Sequence, residues 1–283
     1  WRETLAPLLR AEHPGARLWL SLQGFDYDQV MYSLDWIKEH MPDWLGGLVA
    51  GPSSPPIPAT RKRLPARYGL RHYPDITHTV RCQYPVKWWD PAFAMTLGRE
   101  AINPQPEYYA AVHDALCKYT TGFIAYSDGA HDDVNKVVWL ARGWDHEADV
   151  RDVLIEYARF FFGPAVAEEA ADGILALEEN WEGPLRDNAG VTAALRLWQR
   201  LEAAHPELAD NWRWQMCLVR AYYDAYTRHR LIYERGLEQA ACARLAAMLD
   251  ADPGAAMRAA LAVVRRAETA PVRQDLRERV VDL

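Results

Sequence analysis

The stretch TTGFIAYSDGAHDDVNKVVWLARGW, Thr120 to Trp144, gathers Tyr126, Ser127, Asp128, His131, Asp132, Asp133, Asn135 and Lys136 into one short segment. Three carboxylates, an imidazole, an amide and an amine at this density can accept from hydroxyl groups, exchange protons and position charge. A second pair, Asp75 and His78, stands where a third apolar strand should end. Each constellation has a plainer explanation. Asp132 and Asp133 directly precede VNKVVWL and would cap and charge the start of a helix, and Asp128-Gly129 is an ordinary turn pair. Capping leaves Tyr126-Ser127 and the number of acids unexplained. For Asp75 and His78 the plainer explanation is a solvated strand end or a satisfied structural pair.

The elements around these residues alternate. RLWLSLQGF predicts a strand that ends at Gln23 and Gly24. YDQVMYSLDWIKEHMPDW predicts a helix with Val30, Leu34, Ile37 and Met41 on one face, Asp26 or Asp28 as its cap and Pro42 as its stop. LGGLVAG (Leu45 to Gly51) predicts a second strand, Tyr68 to Val80 a third, and Gly122 to Tyr126 a fourth, the last after a helix over 107–119. Residues 81–106 read as one long loop. The strand exits are Gln23-Gly24-Phe25-Asp26, Gly51-Pro52-Ser53-Ser54, Asp75-Ile76-Thr77-His78 and Tyr126-Ser127-Asp128-Gly129, all polar. Apolar strands with polar exits, separated by helices, describe βα units of a parallel sheet, whose ligands lie at the carboxyl ends of the strands. Four units fit between Arg17 and Arg142 and a (β/α)8 barrel needs eight, so the expected architecture is α/β: the second half of a TIM-type barrel over 1–145. Trp1 to Leu9 reads as a helix without a Met or a signal segment before it, and an upstream barrel half is the expected missing partner.

From Asp149 the apolar spacing becomes helical throughout, and an α-helical domain is expected over 146–283. The predicted helices cover 149–163, 166–181, 191–204, a long run ending near Leu237, then 237–249 and 254–268. The aromatic series Trp212, Trp214, Tyr222, Tyr223, Tyr226 and Tyr233 fits a helical core.

Composition narrows the function classes. The chain has 283 residues, half hydrophobic and a quarter charged, with a formal net charge of −7. That charge offers no basic field for a phosphate backbone; RKR at Arg61 to Arg63 is the densest basic run, and nucleic acid is not expected as a partner. Apolar runs are too short for a membrane helix, which needs about 20 residues. Cys82, Cys117, Cys217 and Cys242 lie far apart, without a C-x-x-C pair. Asp128, His131, Asp132 and Asp133 lack the D-x-[DN]-x-[DN]-G register of a calcium loop, and neither a glycine fingerprint, a G-x-S-x-G elbow nor H-E-x-x-H is present. No metal and no cofactor are expected.

Carbohydrate fits these residue types best, because sugar rings present apolar faces to aromatics and many hydroxyls to Asp, Asn, Gln, His and Arg. CQYPVKWWDP supplies Tyr84, Trp88 and Trp89 just after the Asp75/His78 exit. YPDITHTVRCQYPVKWWDPAFAMTLGREAINPQP together with GFIAYSDGAHDDVNKVVWLARGWDHEADVRDVLIEYARFFFGP resembles the last barrel strands and the start of the helical C-terminal domain of bacterial glycoside-hydrolase-like proteins. Their layout is similar to that of α-glucuronidases, family-20-type hexosaminidases and α-N-acetylglucosaminidases. Gly143 to Gly163 is the most characteristic piece, although His146 stands where that pattern has Pro. The resemblance covers roughly residues 71–184 and is one of layout. It implies a protein that acts on or binds carbohydrate, with the usual acid/base carboxylates upstream of Trp1, so that this chain would not turn over alone. The alternative is a non-catalytic binding or scaffold protein descended from such a barrel.

The resulting site expectation has Asp75 and Asp128 as the carboxylates nearest the sugar, as binders or as general acid and base. Gln23, His78, Arg81, Tyr126 and Asn135 would hold hydroxyls, Asp132 and Asp133 would add acceptors, and Trp88 would be the stacking platform. Arg81 would also suit a uronic acid carboxylate, through bidentate pairing.

Overall fold

The computed structural model describes residues 4–80 and 82–283, in two units: Trp1–Pro85 with Gln105–Val153, and Val86–Pro104 with Leu154–Leu283. The elements of the chain run, in order, α1 (Leu5–Glu12), β1 (Leu18–Ser21), α2 (Tyr27–His40), β2 (Leu45–Ala50), α3 (Ile57–Arg63), β3 (Gly69–His72), α4 (Pro91–Thr96), α5 (Pro106–Cys117) and β4 (Gly122–Phe123). After them come α6 (Asp133–Trp144), α7 (Val150–Phe161), α8 (Ala167–Glu179), α9 (Gly190–Ala204), α10 (Trp212–Met248), α11 (Pro253–Val264), α12 (Arg266–Thr269) and α13 (Gln274–Asp282). The chain is therefore mixed α/β, with one small parallel sheet and many helices. Among the described residues no helix is long and apolar enough to cross a membrane.

In the first unit the strands lie side by side in chain order, β1-β2-β3-β4, all parallel. Parallel registers carry neighbouring side chains to the same face, so Leu20, Leu48 and Leu70 form one row across the sheet. With Leu22 and Ala50, that face packs on Val30, Leu34 and Ile37 of α2 and on Ile57, Leu64 and Tyr68. The spacing of Val30, Leu34 and Ile37 is the reason α2 forms where the sequence predicts it. Asp26 is its cap: Gln29 N donates to Asp26 Oδ1 at 2.8 Å, while Asp26 N donates to Gln29 Oε1 at 3.1 Å. Met41, in the left-handed region at φ 42°, ends the helix just before Pro42.

The opposite face is different. Trp19, Gly47 and Gly69 share one row, and the Trp19 ring lies across the two glycines: a methyl group at Gly69 would stand 2.4 Å from Trp19 Cη2. Arg71 stacks its guanidinium on that ring at 3.9 Å. Ser21 is exposed, and Trp19, Gly69 and Arg71 are half-buried. Glycine is required here because an indole, in place of an apolar layer, occupies the space above the strands.

Several expectations are corrected. The third strand pairs only over Gly69–His72, not to Val80, since Pro74 has no N–H to offer and the Asp75 side chain takes the N–H groups of Thr77 and His78. The fourth shrinks to Gly122–Phe123. The long loop contains α4, capped by Asp90, whose Oδ1 accepts from Ala92 N at 2.8 Å. Neither α3 nor α13 is foreseen, both being short and rich in charge. The boundary expected at 145/146 falls instead at Val153, inside α7, and Val86–Pro104 groups with the second unit.

The second unit is helical. The break expected near Leu237 is absent: α10 runs unbroken for 37 residues and Gly236 lies inside it. One glycine costs a helix only about 1 kcal/mol, which packing along the rest of α10 overrides. Of the aromatic series, Trp214 and Tyr222 are core residues, whereas Trp212 is exposed. Phe93 of α4 stacks on Trp181 at 4.5 Å, and the buried pair Arg220 and Asp224 lies on α10.

Candidate functional site

The first unit places the exits of its four strands along one edge of the sheet, and His78 stands among them. Its Nδ1 lies 2.7 Å from Asp75 Oδ1 and its Nε2 lies 3.4 Å from Asp128 Oδ2. The ring is 7% exposed, so both nitrogens are held by carboxylates rather than by water. Tyr126 lies over the His78 ring at 6.4 Å and donates its hydroxyl to Asp128 Oδ1. Tyr73 meets Tyr126 edge-on at 5.6 Å. The hydrogen bond to Asp128, then burial, pushes the Tyr126 phenol up to about 12, so it stays a donor across the neutral range. Burial, then the nearby Asp128 charge, raises Tyr73 as well.

The two candidate catalytic carboxylates have unlike surroundings. Asp75 is 1% exposed; its Oδ1 also accepts from His78 N at 3.2 Å, and its own N–H donates to Gln83 Oε1 at 3.1 Å. Asp75 thus orients His78. Asp128, with a third of its side chain exposed, is the carboxylate open to solvent.

Asp132 answers the capping question. Its side chain makes no cap bond to α6. Fully buried, it accepts instead from Thr77 Oγ1 at 2.5 Å, Ser127 Oγ at 2.9 Å and Asp128 N at 3.3 Å, with Lys136 Nζ 3.4 Å away. It therefore ties the β4 exit to the β3 exit and fixes the backbone at Asp128. Asn135, 2% exposed, does similar work: its Oδ1 accepts from Gln105 N at 2.7 Å and its Nδ2 donates to Ile76 O at 3.1 Å. Asp133 is buried at the start of α6. These three act on the scaffold, since buried polar groups engaged by protein partners have little left to offer a ligand.

Gln23 is exposed at the β1 exit; a methyl group at Gly51 would come 3.2 Å from its Oε1 and 2.8 Å from Tyr73 Cδ1, which brings Gln23, Gly51 and Tyr73 into one neighbourhood. Trp88 belongs to the second unit, 59% exposed, so the first unit's site is built without it. Arg81 lies outside the described residues. Sequence reasoning missed Tyr73, Thr77 and Gln83. Tyr73 and Thr77 flank the Asp75 exit and were accessible to a reading by strand ends; Gln83, which bridges Asp75 N and Gly51 O, gives no local signal.

On the helix-covered face, His72 is 3% exposed and its Nε2 lies 3.0 Å from the Tyr84 hydroxyl. Burial, then the neighbouring His113, lowers its pKa from 6.5 to about 4. An unfolded chain takes up this proton near 6.5 and the folded one only near 4. The stabilising contribution is complete above 6.5 and is lost as the pH falls between those values, by up to about 3 kcal/mol. Urea unfolding at pH 7 and pH 4.5 is expected to register this loss, and His72→Gln is expected to flatten it; an equal acid slope in both proteins would refute the assignment.

Compared with protein-family models, with curated proteins and with solved structures, the chain matches none.

Proposed function

We propose that this chain binds carbohydrate as part of a glycoside-hydrolase-like protein, with its sheet as half of a (β/α)8 barrel and its second unit as the helical C-terminal domain of that layout. The observation that carries the reading is Asp128, held by Tyr126 and His78 with Tyr73 against Tyr126 at the strand exits, where ligands of parallel sheets are received. Strand order equal to chain order supports a barrel segment over a doubly wound sheet, whose order reverses at a switch point. Tyr73 and Tyr126 offer aromatic surface, and Asp128 and Gln23 offer partners for hydroxyls.

Binding is favoured over turnover by this chain. Glycoside hydrolysis needs two carboxyl groups flanking the bond, or one and a substrate amide. Asp75, Asp132 and Asp133 are 1%, 0% and 5% exposed, which leaves Asp128 as the accessible one of the four.

The test is a panel of neutral and uronic saccharides, followed by calorimetry on those that bind. Asp128→Ala is expected to weaken binding about 10- to 100-fold, the value of hydrogen bonds to a charged group, with the melting temperature little changed. No saturable binding to any saccharide would end the proposal, and cleavage of aryl glycosides or glucuronides by this chain would overturn its non-catalytic part.

A further inference from the structure

Away from the strand exits, the first unit has a groove of about 740 Å³ bounded by α5, β4 and α6, with His113, Lys118, Phe123, Trp139, Arg142 and His146 in its lining. At its floor the Trp139 indole is ringed edge-on by His72 at 5.3 Å, His113 at 5.1 Å and Phe123 at 6.4 Å. Trp139 is 1% exposed and His113 6%, yet Trp139 Nε1 and His113 Nδ1 have no hydrogen-bond partner among the described residues. The nearest carboxylate to His113 Nδ1, Asp114 Oδ1, is 3.7 Å away, beyond hydrogen-bond reach. Arg142 Nε is also buried without a partner, although the terminal nitrogens of the same guanidinium donate to Ala148 O and to Asp114.

Buried polar groups are satisfied in the great majority of cases, and leaving one unsatisfied costs about 1–3 kcal/mol. Two of these three, the indole and guanidinium N–H groups, can only donate, so whatever completes them is an acceptor. Trp139 and Arg142 are one helical turn apart on α6 and therefore share a face. Lys118 at the rim and His146 add positive or ionisable groups in a chain whose net charge is −7.

The geometry points to a binding site for an oxyanion, the carboxylate or phosphate group of a small molecule, received by Trp139 Nε1–H and Arg142 Nε–H with His113 as a third donor and Lys118 at the mouth. This site is separate from the strand exits and does not depend on the carbohydrate proposal.

The indole N–H resonance of Trp139, assigned by its loss in Trp139→Phe, reads the site directly. The intact chain is titrated at constant ionic strength with inorganic phosphate in one arm and glucuronate in the other, and with glucose as the uncharged control. A saturable shift of that resonance by at least one anion, and none by glucose, is expected; the arm that saturates names the group. Lys118→Gln, a change at an exposed residue that leaves the fold intact, is expected to weaken the midpoint at least threefold. Shifts that do not saturate, that glucose reproduces, or that Lys118→Gln leaves unchanged would overturn the site and assign the three nitrogens to buried water. Asp128→Ala, which weakens saccharide binding at the strand exits, is expected to leave the anion titration of this resonance unchanged, so the two proposals fail separately.

Discussion

Replacing Asp132 with alanine is expected to destabilise the first unit by about 3 kcal/mol, because it strands the buried Thr77 hydroxyl and takes a shared acceptor from the partly buried Ser127 hydroxyl and Asp128 amide. Thr77 Oγ1 and the Asp128 amide lose their acceptor, Ser127 Oγ is left with the longer bond to Gly129 O at 3.4 Å, and Lys136 loses its carboxylate. Lys136 is 28% exposed and can turn to water, which keeps the cost below that of a fully enclosed ion pair. The same change should free the loop that presents Asp128, so saccharide affinity falls together with stability. Asp132→Asn keeps the shape and one acceptor, and its loss is expected to be about half as large. Urea unfolding and amide exchange at residues 126–132 check both parts. If Asp132→Ala unfolds at the wild-type midpoint and its loop amides stay protected, Asp132 is not the tie between the two strand exits.

The second large effect lies in α10. Asp224 is 0% exposed and Arg220 2%; Arg220 donates to Asp224 Oδ1 and to Ile102 O, and Asn180 Nδ2 donates to Asp224 Oδ2 at 3.0 Å. Burial pushes the Asp224 carboxyl up, against the pull of Arg220 and Asn180. Asp224→Ala leaves a guanidinium enclosed among Phe93, Trp181 and Tyr223 without its counter-charge, a loss of about 3–5 kcal/mol. The double change Arg220→Met with Asp224→Leu removes both charges and is expected to recover part of that loss, the remainder being the orphaned Asn180 amide and Ile102 carbonyl. A thermal melting series of the two singles and the double decides it. Purely additive losses would mean that the two side chains do not act as a pair.

The sequence by itself determined the elements whose cause is local. α2 was legible from Val30, Leu34 and Ile37 with the Asp26 cap, β2 from an apolar run between turns, and most of the later helices from their apolar spacing. Strand exits, likewise, named Asp75, His78, Tyr126 and Asp128 before any fold was known, because polar residues after apolar strands mark the ligand edge of a parallel sheet. What the tertiary structure alone decided is which of these face solvent and which are consumed by the scaffold. Asp128 and Asp132 are four residues apart and chemically identical, yet one is partly open and the other fully enclosed, since Thr77, from another strand exit, reaches only the second. The length of β3 was hidden for the same reason: Asp75 withdraws backbone donors from the ladder only once His78 has packed beside it. Gly47 and Gly69 read as weak strand residues until Trp19 is seen lying across them. Periodicity reports which face of an element is apolar, but the partner that meets a given polar atom comes from distant parts of the chain, and no local pattern encodes it.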